Sequence, residues 1–365
     1  MQLEFFPSRT LTLYLSRLFI TRIIAVLIML VMVLMILDLL GESGKIMEHP
    51  GNGEPELLHY VSLRVPQLIA RFLPYSVLLA TIITLAALNQ NSEVIAMKAA
   101  GLSAHQVLAP LILTAMIVAI VSFAFNERVV TRATSTLSAW SSANYGPIPT
   151  DSGIRSNVYL SDGRDIIMAS TMSGAGKAVV MENVTFYRRD GEGMVVEQMR
   201  SPRAVFANPG WALEKPVVFD SRNTESATLP AATVGKGITL SQLEISKVNA
   251  DAEDIFKLSR SIKALKAAGR RTSELEGAWW HKISGPLSAV LMPLLGAVAA
   301  FGLARSGQLL IRSVIGMALG FAYFVIDNAA LAMGNFGGYP PIIAAWAPFV
   351  LFALIGETVL VRTEE

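Results

Sequence analysis

Two textures alternate along the chain. Six stretches are almost free of charge, at 19–40, 65–88, 107–125, 283–303, 309–333 and 342–361. Each approaches the roughly 20 apolar residues that a helix needs to cross a ~30 Å hydrocarbon layer. The first contains no charge over 23–37 and has no small-residue cleavage site after a short apolar core, so it reads as a retained span rather than a signal peptide. The second carries Pro66, Arg71 and Pro74 in its first third.

Between the third and fourth stretches the hydrophobic period shortens. β-rich runs at 157–160, 165–170, 178–188, 194–198, 204–207 and 216–220 are separated by Ser-Asp-Gly, Ser-Gly-Ala-Gly, Asp-Gly-Glu-Gly and Asn-Pro-Gly turn signals. This predicts an all-β sandwich, roll or barrel. After it, Asn249-Ala250-Asp251 predicts the start of a helix to about Ala268, with Ile255, Leu258, Ile262 and Leu265 on one face and Gly269 as its stop. Trp279-Trp280-His281-Lys282 would then meet the outer membrane interface, where Trp is enriched. The organisation expected is an α-helical membrane protein with six transmembrane helices and an extracytoplasmic all-β domain inserted between the third and fourth. Its parts are a first membrane half at 1–127, the β domain at 128–250, a helix returning to the membrane at 251–282, and a second membrane half at 283–365.

Charge sharpens this picture. The 365 residues are only 16% charged, against about 25% in a soluble domain. Of the 58 charges, 36 lie between Arg128 and Lys282. A net charge of +2 with no basic stripe leaves no nucleic-acid footprint. The absence of cysteine excludes disulfides and thiolate metal sites. An even number of spans puts both termini on one side, and that side holds Arg9, Arg17, Arg22, Lys98, Arg305, Arg312 and Arg362. The short loops opposite offer Lys45 and Arg64, so the termini are expected in the cytoplasm. Arg128, Arg132 and Lys282 oppose this at the edges of a long domain, which crosses largely regardless of charge.

No catalytic signature stands out. His49, His59, His105 and His281 are scattered, and there is no HExxH, GxSxG or Ser-x-x-Lys. The glycine-lysine stretches 174–177 and 235–236 lack the remainder of a phosphate loop and read as turns. Any ATP chemistry therefore belongs to another chain, and neither metal nor cofactor is expected. The informative groups are polar residues at membrane depth, which are costly there. Asp38, Arg71 and Asp327 lie towards the outer side, where a carboxylate could pair with Arg71 or the groups could border a substrate path. Arg312 and Glu357 read as interfacial anchors. Gly316-x-x-x-Gly320 permits close approach of another helix, either within the chain or from a second subunit.

The stretch 91–104 is the sharpest local signal. Asn91 or Ser92 can cap a short helix with Glu93 in its first turn, Gly101 fits a left-handed stop, and Ser103 with Gln106 forms a capping box for the next span. A short cytoplasmic helix fixed between two spans can pass force from a docked protein, with Glu93 available to a basic partner.

This stretch, together with Gly320-Phe321-Ala322-Tyr323-Phe324-Val325-Ile326-Asp327, the text from Gly338-Tyr339-Pro340-Pro341 to Pro348, and the three-plus-three layout, resembles the LptF/LptG permease family over essentially the whole chain. The fifth- and sixth-span text is nearer the LptG branch. The resemblance implies a half-permease of a lipopolysaccharide exporter in a bacterial inner membrane. It implies an LptF-type permease, an LptB-type ATPase dimer and an LptC-type bitopic protein as partners, and a periplasmic β jellyroll that passes acyl chains onward. By the same resemblance the loop helix, with Glu93, Ser92 and Gly101, couples to the ATPase, and the first span and the Gly316/Gly320 face form lateral gates. Family members carry lysines just after the first-span Asp, whereas here only Lys45 follows, a turn further out. Lys45, Arg64 and Arg71, with Asp38 and Asp327, are the candidate rim contacts to lipopolysaccharide. Two other readings compete: a membrane-tethered scaffold or sensor whose β domain binds a periplasmic partner, and an intramembrane hydrolase using Asp38 and Asp327.

Overall fold

The computed structural model describes residues 7–146, 155–161, 165–174, 179–191, 193–207, 209–220, 225–238, 248–267, 271–301 and 309–362. Helix α1, Arg9–Glu48, opens on Ser8, whose hydroxyl accepts from Leu11 N. Its 40 residues span about 60 Å at 1.5 Å per residue, twice the hydrocarbon thickness. Helix α2, Glu54–Gln90, begins eleven residues before the predicted span. Glu56 closes a box on Gly53 N at 2.8 Å, and Pro55 sits in the first turn, where its missing N–H costs nothing. The extra turns are held by tertiary packing: Tyr60, Leu57 and Val61 join Val31, Met35 and Ile46 of α1 in a separate core at this end of the two helices.

Helix α3, Glu93–Ala99, lies between α2 and α4, Ala104–Phe125. Beyond Phe125 the chain continues through one π turn, Asn126–Val130, into α5, Thr131–Ser142. The helix thus runs on well past the predicted end of the third span, and Leu137 and Trp140 bury this extension in the same core.

Among the described residues eight antiparallel strands follow, β1 Arg155–Ser161, β2 Ile166–Ser173, β3 Val180–Arg189, β4 Val195–Phe206, β5 Trp211–Glu214, β6 Val217–Asp220, β7 Glu225–Thr228 and β8 Ala231–Val234. They form one sheet in the order β1-β2-β3-β4-β5-β8, with β6 pairing β4 and β7. Asp190 closes the β3–β4 turn, its carboxylate accepting from Met194 N at 2.9 Å. The predicted runs 194–198 and 204–207 are one strand. Its first half pairs with β6 and its second with β5, and Pro202, which has no N–H for a ladder, sits at the changeover. Phe186, Trp211, Ile167 and Met181 fill the core of the sheet.

Asp254, not the Asn249–Asp251 stretch, caps the next helix, α6 Ile255–Ala267, by accepting from Lys257 N at 2.7 Å. Asn249 makes a turn one step earlier, accepting from Asp251 N. Then come α7 Ser273–Phe301, α8 Leu309–Asn335 and α9 Pro341–Arg362. Helix α7 is central, packed on α2, α4, α8 and α9. A Cβ on its Gly296 would stand 2.7 Å from the Thr81 methyl, so only glycine allows α2 this close. Among the described residues five helices are long and apolar enough to cross a membrane: α1, α2, the α4–α5 rod, α8 from Val314, and α9. The fourth predicted span falls on α7, whose first turns hold Glu274, Glu276 and Lys282. Its predicted end at Leu303, the Gly269 stop, Arg305 and the segment 175–177 lie outside the described residues.

Candidate functional site

Two places gather the singled-out residues: the short helix between α2 and α4, and the opposite end of the α1/α2 pair. Helix α3 is fixed by its ends. Ser92 adopts a left-handed backbone, φ 58°, and its side chain makes no cap bond, so it turns the chain out of α2 instead of capping α3 as the sequence suggests. At the other end Gly101, φ +88°, donates to Lys98 O at 3.0 Å while Leu102 N reaches Met97 O at 3.1 Å, the paired bonds of a Schellman stop. Ser103 and Gln106 then form the predicted capping box. Val94 and Met97 insert into the main helical core, and Ile95 is 55% exposed. Glu93 accepts from Tyr14 of α1 at 3.1 Å and from Asn91 at 3.4 Å. Three helices of the bundle therefore converge on α3, while Ile95 and Lys98 face outward.

At the far end Asp38 takes a two-pronged contact from Arg64, 2.7 and 3.0 Å, and a third bond from Tyr60 at 2.6 Å. Arg64 also donates to Gln67 at 2.8 Å. The carboxylate pairs with Arg64 and not Arg71 because α1 and α2 run antiparallel. Arg71, two turns deeper on nearly the same face, has moved about 10 Å away along the axis. Arg71 is exposed beside Tyr75, whose ring stacks on Phe324 at 3.8 Å. Lys45 is exposed and pairs with Glu42 at 2.9 Å. Glu42 also accepts from Tyr145 at 2.9 Å. Burial first, and then this bond to a carboxylate, push the Tyr145 hydroxyl up to about 12. Tyr145 stacks edge-on against Trp140, and Asn52 ties its carbonyl to Ile46.

Asp327 is buried on α8. One carboxylate oxygen lies 3.9 Å from His281 Nδ1, and the other has no hydrogen-bond partner among the described residues. Gly320 faces inward against Leu78 of α2, and Gly316 is buried too. Glu357 of α9 meets His105 of α4 at 2.8 Å.

Sequence reasoning missed a second charge pair. Glu127, in the π turn, accepts from Lys282 at 3.2 Å and from Ile255 N, the first residue of α6, at 2.6 Å. Both charged side chains are nearly buried, at 13% and 8% exposure. The two residues are 155 positions apart, and their shared signal is that each stands at the edge of an apolar run.

The model of the family described as lipopolysaccharide export system permease LptF/LptG matches residues 13–362. Lipopolysaccharide export system permease protein LptG of Escherichia coli (strain K12) is 26% identical over 312 residues, covering 83% of this chain and 84% of the relative. The protein of the same name from Haemophilus influenzae (strain ATCC 51907 / DSM 11121 / KW20 / Rd) is 23% identical over 300 residues, 81% and 83% of the two chains. With the helices apolar enough to span a membrane and the inserted antiparallel sheet, these matches place the chain in the LptF/LptG family of lipopolysaccharide export permeases.

Proposed function

We propose that this chain is one permease half of an ABC transporter that extracts lipopolysaccharide from the inner membrane and passes it to a periplasmic β bridge. In this reading six helices span the membrane, α7 being the fourth, both termini are cytoplasmic, and the sheet is a periplasmic jellyroll aligned with those of its partners. An LptF-type permease completes the cavity, an LptB-type ATPase dimer drives it, and an LptC-type protein attaches at the side. The chain itself carries no catalytic centre.

The observation that carries the reading is α3, a seven-residue helix held at both ends and rooted in the bundle by Val94 and Met97. A partner that grips its outward face at Ile95, reaching Glu93 at its first turn, cannot move it without moving α2 and α4. ATP closure of the nucleotide-binding pair then narrows the cavity, provided the two nucleotide states prefer different widths. Ser92 and Gly101 set the angle of the helix by their left-handed backbones. Lys45, Arg64 and Arg71 offer cations for phosphate at the outer rim, with Asp38 holding Arg64 in place, Asp327 lying deeper in the wall, and the Gly316/Gly320 helix forming a gate.

The test is Glu93→Ala in the assembled complex. Membrane insertion should be unchanged, while co-purification of the ATPase, or hydrolysis stimulated by lipopolysaccharide, falls about tenfold or more, a size that one lost charge-assisted contact supports. Full stimulated hydrolysis in this variant removes α3 from the mechanism. Isolation of the chain without any ATPase would favour a scaffold.

A further inference from the structure

Helix α6 carries four cations, Lys257, Arg260, Lys263 and Lys266, and no acid. All four are exposed, whereas Leu258 and Leu265 are buried on the opposite face. Lys266 pairs with Glu276; Lys257, Arg260 and Lys263 make no ion pair among the described residues. The acids just before the helix are turned back onto its first turns, Asp254 accepting from Lys257 N and Glu253 from the Ser261 hydroxyl, and neither forms an ion pair with the row of cations among the described residues. Glu274 is exposed, but on α7.

The depth of α6 follows from its anchors. Ile255 N is held by Glu127, two residues beyond the end of the apolar helix α4, and Ile255 O accepts from the Trp279 indole at 3.2 Å. The helix therefore starts at the edge of the apolar layer. At that point Phe256 is 78% exposed beside Lys257, and Trp279 and Trp280 sit at the same level. An exposed aromatic next to a row of cations, with tryptophans at the same height, is the chemistry of a headgroup layer. Aromatic rings partition there, and anionic headgroups attract Lys and Arg.

From this we infer that the outward face of α6 is a contact surface for anionic phospholipid headgroups, with Phe256 as its wedge. It would fix the returning helix, and with it the root of the β domain, against the membrane surface. The inference rests on the membrane reading above.

The experiment uses the full-length chain in neutral detergent, with native mass spectrometry of bound phosphatidylglycerol against phosphatidylcholine. Wild type should retain phosphatidylglycerol preferentially, and the exposed-surface variant Lys257→Gln/Arg260→Gln/Lys263→Gln should reduce that preference about tenfold or more. A matched variant in the sheet, Arg200→Gln/Arg203→Gln/Lys215→Gln, should leave it unchanged. Size-exclusion elution checks that each variant is folded. No preference in wild type, or one that survives the α6 variant, overturns the inference. A photoreactive phenylalanine analogue at position 256 separates lipid sources in mixed vesicles: phosphatidylglycerol adducts support the inference, and lipopolysaccharide adducts alone overturn it. Resistance of the chain to alkaline carbonate extraction tests the membrane reading separately, so the two failures are distinguishable.

Discussion

Asp38 shows how one residue's role depends on its partner. Placed near one end of a span, it is costly alone, and the two-pronged Arg64 contact with the Tyr60 bond offsets that cost. Asp38→Asn removes the charge and leaves Arg64 half-buried without an anion. Thermal unfolding in detergent should show a loss of about 1–3 kcal/mol. Arg64→Lys keeps the charge but not the planar fork, and should fall between wild type and Asp38→Asn. A glycine argues similarly at the end of α3. A Cβ at Gly101 meets nothing within 4 Å, so Gly101→Ala costs backbone strain alone, about 1 kcal/mol at φ +88°. That strain falls on the Schellman stop. If an ATPase docks on α3 as proposed, its binding should therefore weaken more than global unfolding shifts, which a binding titration beside a melting curve would separate.

Among the elements, the junction of the α4–α5 rod, α6 and α7 is the most exacting. The π turn swings Glu127 to where Lys282 and the free N–H of Ile255 meet it. A π turn costs regular helix bonds and is found mostly at functional positions. Glu127→Gln leaves Lys282 buried and unpaired, for which a loss of about 3–5 kcal/mol is expected. Glu127→Gln/Lys282→Met removes both charges and should recover most of it. Equal losses in the single and double variants, measured by chemical unfolding, would show that the ion pair does not hold the junction. Helix α3 was legible from the Glu93, Gly101, Ser103 and Gln106 pattern because stops and capping boxes are local. The left-handed turn at Ser92 was not, since it answers to the angle between α2 and α4.

For the molecule as a whole, the three hydrophobic cores among the described residues have a structural consequence. The core around Phe186 and Trp211 shares no buried residue with the two helical cores. The sheet and the bundle should unfold in separate transitions, which calorimetry in detergent resolves; a single transition with equal calorimetric and van't Hoff enthalpies would contradict it. Large apolar side chains remain on the outside of α1 and α8, as in Ile24, Met32, Leu37, Phe321 and Val325. Exposed apolar surface of this extent marks contact with membrane or another subunit.

What the sequence determined by itself is what short-range physics encodes. Hydropathy over a helix length marked the apolar stretches, the change to a two-residue period marked the sheet, and caps and glycines marked α3. Tertiary structure alone decided which charges meet. Arg64 over Arg71 follows from the relative depth of two antiparallel helices, and Glu127 with Lys282 from the closing of a loop of 155 residues. It also joined two predicted strands across Pro202 and carried α2 and the α4–α5 rod beyond their apolar segments, because Tyr60, Trp140 and Tyr145 find a core only when those ends are brought together. Propensity and period act over a few residues, whereas an ion pair or an aromatic cluster exists only once distant segments share the same depth.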